Sequence, residues 1–198
     1  SFGSTTLGFL TVFNPNDELV GIAFQPYQLK KVMDQQAERA PYGHSDDYEE
    51  QSIQIVSGAY RLPGTLTRPK GIQPIALVVF LVGSGPNDRH STVGPNRPHQ
   101  DIADGLARFG IASLRFDKRT FSAAGQIQAE GLAITIDNEV VDDAIAAISF
   151  AKSLADIDPN RVFLLGHSLG GMLAPRVALS AEVAGIIIMA GNARPLEV

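Results

Sequence analysis

The hydrophobic pattern of the chain changes character near residue 48. Upstream, Leu7–Phe13 and Val20–Phe24 are short apolar-rich runs separated by Asn14-Pro15-Asn16-Asp17, and predict two strands joined by a turn. Tyr27–Arg39 has helical spacing and polar character; Pro41 and Gly43 interrupt it, and Ala40–Asp47 reads as a linker. Downstream, Ser52–Ser57 alternates polar and apolar residues as an antiparallel edge strand does, and Arg61–Thr67 is its expected partner, bent at Pro63-Gly64. Ile75–Val82 is continuously apolar, the signature of a parallel strand covered on both faces.

From there strand and helix alternate. A loop, Gly83–Arg97, precedes an amphipathic helix over Pro98–Phe109 closed by Gly110, and Ile111–Phe116 is the next strand. A loop then leads to a long helix over about Thr135–Leu154, with Ile145, Ile148 and Leu154 on one stripe. Asp158-Pro159-Asn160 is a turn, Val162–Leu165 a buried strand, Gly170–Ser180 a helix, and Ala184–Ala190 another buried strand. This order predicts an α/β fold, a mostly parallel sheet with helices on both faces that is entered through antiparallel strands. Residues 1–47 form an N-terminal extension and residues 48–198 the α/β core.

Composition narrows the functions. A chain of 198 residues can bury a full α/β core. Its net charge of −5 is spread without blocks of one sign, which argues against a nucleic-acid surface. The absence of cysteine removes disulfides, thiolate metal sites and a cysteine nucleophile. No metal-ligand spacing is present, and no apolar run is long enough to span a membrane. The chain opens on Ser1-Phe2-Gly3, so residues upstream are expected, and its compartment is left open.

The chemistry centres on Gly166-His167-Ser168-Leu169-Gly170, placed between a buried strand and a helix. A serine hydroxyl is a weak nucleophile that needs exposure, a base and an oxyanion hole. A tight strand-to-helix turn supplies exposure, and glycines are required where a Cβ would clash with the turn's neighbours. The turn also aims the helix N-terminus, with its free N–H groups, at the reaction centre. The same residues suit an ordinary serine in a glycine-rich turn. Gly83-Ser84-Gly85-Pro86, directly after strand Ile75–Val82, is the candidate second half of the oxyanion hole. The backbone N–H groups of Ser84 and Leu169 are assigned to that hole; Pro86 has no N–H to offer. Gly83, Gly85 and Asn87 are the candidate substrate-binding residues. A phosphate cradle is the competing reading of this loop, but its spacing fits neither dinucleotide nor P-loop patterns.

Other polar residues carry plainer expectations. Asp88 and Arg89 shape the pocket mouth or pair with each other, and Asp117, Lys118 and Arg119 form a structural ion-pair network. Glu139, Asp142 and Asp143 lie on the solvated face of the long helix, and His167 packs or hydrogen-bonds away from Ser168.

Taken together, Leu62–Leu66, Gly83–Arg89, Gly94–Asn96, Leu114–Thr120 and Gly166–Met172 make the chain resemble bacterial serine hydrolases of the α/β-hydrolase superfamily, commonly esterases. His90 stands where such proteins usually carry an acidic residue and His99 where they carry an aromatic. Residues 1–27 are similar to the tail of a small α+β domain that precedes the hydrolase in some relatives. The resemblance implies an ester hydrolase working through an acyl-enzyme on Ser168, with a small-molecule ester as substrate and no cofactor. Thioester and amide substrates share the chemistry, and a non-catalytic hydrolase-like binding module is the alternative of a different class.

The superfamily's triad runs Ser, acid, His in chain order. After Ser168 the sequence holds Glu182 and Glu197 but no histidine, since His44, His90, His99 and His167 all precede it. The acid and base are therefore expected beyond Val198, with a base from His90 or His99 as the fallback. A chain stopping after Ala184–Ala190 would leave that strand as an apolar edge, expected to self-associate or to hold a second fragment. The intact mass of the native protein checks this: the expected product is longer than 198 residues.

Overall fold

The computed structural model describes residues 7–13, 19–26, 46, 48–71 and 75–192, with backbone alone for the first two segments. The helix expected over Tyr27–Arg39, most of the linker and the segment from Ala193 lie outside the described residues. Strands β1 (Leu7–Phe13) and β2 (Leu19–Pro26) pair antiparallel, Phe9 opposite Phe24, as a separate two-stranded sheet.

The larger unit is a six-stranded sheet built from β3 (Tyr48–Ser57), β4 (Tyr60–Pro69), β5 (Ile75–Leu81), β6 (Ile111–Phe116), β7 (Ile157–His167) and β8 (Gly185–Met189). Their order across the sheet is β3-β4-β6-β5-β7-β8. β3 and β4 are antiparallel to each other, β4 runs antiparallel to β6, and the remaining pairs are parallel. β5 sits at the centre with every residue buried, as a continuous apolar run requires. The parallel strands are joined by crossovers carrying α1 (Pro98–Arg108), the short α2 (Arg119–Ser122) and α3 (Ala124–Glu130), a π-helical turn (Asp137–Val141) leading into α4 (Asp142–Ser153), and α5 (Leu169–Ala181). One core joins Leu62, Leu77, Leu114, Ile148 and Leu164, and a smaller cluster around Val78, Phe80 and Leu165 packs on Ile102 and Leu106 of α1. This is the α/β-hydrolase architecture.

Several expectations are corrected. Pro63-Gly64 does not bend β4, because Gly64 pairs with both Ile53 and Phe116 and lets them approach: a Cβ there would lie 2.9 Å from the Arg115 carbonyl. Asp158-Pro159-Asn160 is not a turn ahead of the strand but part of β7, at an irregularity in its pairing with β5 where the Asn160 N–H donates to Asp158 Oδ1 at 2.9 Å. The loop after β6 holds two short helices that its sequence did not announce. β8 is not buried: Ile186, Ile187 and Ile188 are 38, 43 and 49% exposed, because among the described residues it has a strand on one side only.

The largest correction concerns the acidic residues of the long helix. Asp143 is buried, with its carboxylate taken by the Arg119 guanidinium: Arg119 Nε donates to Oδ2 at 3.0 Å and Nη2 to Oδ1. Arg119 also donates to Ser57 Oγ at 3.2 Å and lies 4.6 Å over the Tyr60 ring. The pair therefore ties α4, α2 and the β3–β4 turn together. Removing one partner leaves a buried charge alone, so Asp143→Ala is expected to cost about 3–5 kcal/mol, measured by urea denaturation.

Candidate active site

β7 ends at His167 and α5 begins at Leu169, leaving Ser168 alone to turn the chain. Its φ of 53° and ψ of −116° are strained for a residue with a side chain. The strain is held by packing on both sides. A Cβ at Gly166 would fall 2.3 Å from the Gly170 carbonyl oxygen, and one at Gly170 would fall 2.7 Å from the carbonyls of Leu81 and Val82. The start of α5 thus lies directly against the ends of β7 and β5. The Ser168 N–H donates to the Met189 carbonyl at 2.9 Å, and its own carbonyl accepts from the Met172 N–H at 2.9 Å, closing the first turn of α5. Leu169, as the first helical residue, keeps an N–H that no α-helical bond uses.

The loop after β5 comes to the same place. A Cβ at Gly83 would sit 3.3 Å from Ser168 Cβ, so only glycine lets the two segments approach without displacement. Ser84, Ser168, Leu169, Met172, Ala190 and Asn192 line a cavity of about 120 Å³. The cavity joins Ser168 to both residues assigned to the oxyanion hole. Of the expected substrate-binding residues, Gly83 lies against Ser168 and Gly85 holds a φ of 88° in the loop. Asn87 serves the loop itself: its Nδ2 donates to the carbonyls of Gly83, Ser84 and Gly85 at 3.1, 2.7 and 3.2 Å. Met172, Ala190 and Asn192 were missed from sequence. The readable signal was that β5, β7 and β8 end at one edge of a parallel sheet, where α/β ligand sites form.

The surrounding polar network is structural, as expected for Asp117, Lys118 and Arg119, but its pairing differs in detail. Arg89 pairs with Asp117 rather than Asp88, through Nε–Oδ1 and Nη2–Oδ2 contacts of 2.9 Å each. Asp88 instead accepts from the Thr92 and His90 N–H groups, which folds the loop on itself. Lys118 Nζ reaches Gly83 O at 3.2 Å and Glu139 Oε2 at 3.1 Å, so Glu139 also leaves the expected solvated face.

His167 packs as expected, its ring edge-on to His99 with centroids 6.1 Å apart. His99 is buried against Phe80, with centroids 5.2 Å apart, and His90 Nδ1 lies 3.1 Å from Arg115 Nη1. Among the described residues, no side chain hydrogen-bonds the Ser168 hydroxyl. The fallback base from His90 or His99 is therefore not in place. No cluster of His, Cys, Asp or Glu fit to hold a metal occurs among the described residues.

The strand-turn-helix with a strained serine, its glycine contacts and the loop packed on it are arranged as in the α/β-hydrolase fold. Residues 96–196, just over half of the chain, match the family of serine aminopeptidases S33, and the chain belongs to it. The chain is 37% identical over 196 residues to esterase EstD of Thermotoga maritima, covering 99% of this chain and 44% of EstD, so it spans under half the length of that relative. Among solved structures it is similar to a bacterial heroin esterase (TM-score 0.57, 20% identity, 74% of this chain and 45% of that one). It is also similar to a dienelactone hydrolase from Anabaena variabilis (TM-score 0.59, 22% identity, 73% and 64%).

Two measurements probe this geometry. Ser168→Gly relieves the positive φ and is expected to be about 1 kcal/mol more stable than Ser168→Ala in paired thermal melts. Burial, and then the neighbouring positive charges of Arg115 for His90 and of His167 for His99, push both imidazoles down to about 4. The unfolded histidines bind protons near pH 6.5, so these two residues lower stability as pH falls from about 6.5 towards 4, and their contribution levels off below. Melting temperatures over that range should fall less steeply for His99→Phe than for the parent.

Proposed function

We propose that the protein hydrolyses small carboxylic esters through an acyl-enzyme formed on Ser168. The observation that carries this reading is the positive-φ turn that presents Ser168 between the Gly83–Ser84 loop and the N-terminus of α5. In the proposed reaction the Ser168 Oγ attacks the ester carbonyl carbon, and the carbonyl oxygen takes up the negative charge. The N–H groups of Ser84 and Leu169 stabilise that charge, aided by the free helix-end dipoles of α5. The tetrahedral intermediate collapses with loss of the alcohol, and water then attacks the acyl-serine carbonyl to release the acid. A base must take the serine proton and return it to the leaving alkoxide. The 37% identity to an esterase over nearly the whole chain supports an ester rather than an amide substrate. The family's description supports the amide instead, through the same acyl-serine.

The test uses the full-length native protein. A fluorophosphonate probe should label it, and Ser168→Ala should abolish both labelling and 4-nitrophenyl ester hydrolysis. A folded, unlabelled parent would favour a binding module. Turnover of aminoacyl amides above that of esters would favour the peptidase reading.

A further inference from the structure

We infer that Lys118 is a positioning residue for the oxyanion hole: its ammonium, anchored by Glu139, grips the Gly83 carbonyl and so aims the Ser84 N–H at the reaction centre. The inference rests on the reading of Ser168 as nucleophile.

The argument begins with one peptide plane. The Gly83 C=O and the Ser84 N–H belong to the same peptide unit, and in a trans peptide they point in opposite directions. Whatever fixes the carbonyl on one side fixes the N–H on the other. Two donors converge on this carbonyl oxygen, Asn87 Nδ2 at 3.1 Å and Lys118 Nζ at 3.2 Å. On the opposite side, Ser84 lines the cavity with Ser168, and a Cβ at Gly83 would nearly touch Ser168 Cβ. The loop is glycine-rich, with Gly85 at positive φ, so without outside restraint this plane could rotate at little steric cost.

Lys118 is suited to hold it. The side chain is 4% exposed, which keeps water from competing for the carbonyl. It stands just past the end of β6, at the carboxyl edge of the sheet, and its own N–H donates to the Asn87 carbonyl at 3.2 Å. One residue therefore binds the loop at Gly83 and again at Asn87. Glu139 fixes the ammonium through Oε2 at 3.1 Å, while its Oε1 accepts the Thr120 hydroxyl. Glu139 lies in the π-helical turn, a wide turn found disproportionately at functional sites. A buried ammonium carries three N–H donors that need acceptors; one faces Glu139, and another is directed at the backbone oxygen beside Ser168 rather than at a second carboxylate. A cation on the carbonyl oxygen also polarises the peptide, which strengthens the N–H on its far side as a donor.

The experiment compares Lys118→Met, Glu139→Gln and Ser168→Ala in the full-length native protein, with a 4-nitrophenyl ester as substrate and a trifluoromethyl ketone as mimic of the tetrahedral oxyanion. Loss of a whole oxyanion donor lowers kcat by roughly 100- to 1000-fold. Loss of its aim should cost Lys118→Met about 10- to 100-fold in kcat with KM within about twofold, and should weaken ketone binding by a similar factor. Glu139→Gln should move both quantities in the same direction by less. Lys118→Met with parental melting temperature, kcat and ketone affinity would overturn the inference. If Lys118→Met does not fold, Glu139→Gln with unchanged kcat and ketone affinity overturns it equally. Full activity in Ser168→Ala is a separate result that would sink the nucleophile reading itself.

Discussion

The site depends on the contact of bare backbone against bare backbone where β7, β5 and α5 meet. Gly166, Gly170 and Gly83 have no side chain, so the helix start can press against two strand ends and the loop can press against the serine. Any Cβ at Gly166 or Gly170 would overlap peptide atoms, which cannot swing aside as a side chain can. Because these three segments are locked, Ser168 has one way to pass from strand to helix, and that way has a positive φ. The strained conformation is thus a product of the surroundings, and the rigidity of the central strand maintains it. β5 is buried throughout and hydrogen-bonded on both edges, so it provides a stiff base for the loop that follows.

Around this contact lies a layer of ion pairs whose members come from elements far apart in sequence. Arg115, fully buried in β6, donates to Glu50 at 2.7 Å and Thr67 at 3.0 Å, and so joins the antiparallel hairpin to the parallel core. Arg89 and Asp117 tie the loop after β5 to the end of β6. Arg119 and Asp143 tie the next segment to α4. The consecutive residues Asp117, Lys118 and Arg119 send their side chains to Arg89 in the loop after β5, Glu139 in the π-helical turn and Asp143 in α4. Removing one partner of such a buried pair leaves the other charge uncompensated, so each pair holds its two elements together as a unit.

The parts legible in the sequence were those decided locally. The apolar run of β5, the alternation of β3 and the amphipathic α1 each carry their cause within a few residues, and the glycines flanking Ser168 are legible as a motif although Gly170 owes its place to the carbonyls of Leu81 and Val82. The misread parts were decided by neighbours. Asp143 and Glu139 look like surface acids in a helical pattern, and only Arg119 and Lys118, some twenty residues earlier, draw them inward. Gly64 looks like a bend because its reason, the approach of Ile53 and the Arg115 carbonyl, comes from other strands. Asn87 looks like a ligand-binding amide, while its bonds run to carbonyls of its own loop, a matter of backbone direction that residue type does not encode. β8 reads as buried because three consecutive isoleucines ordinarily are, and its exposure follows from its place at the end of the strand order.

The π-helical turn at Asp137–Val141 closes with the Asp142 N–H bonded to the Asp137 carbonyl, five residues back rather than four. Such a turn holds one residue more than an α-helical one. The spacing of the crossover is consequently a matter of residue count. Deleting a single residue there would restore a regular helix and rotate everything before it by about 100° relative to α4. Glu139 shares this turn with Val140 and Val141, which pack into the core, so the reach of its carboxylate to Lys118 and the seating of both valines hang on the same residue count.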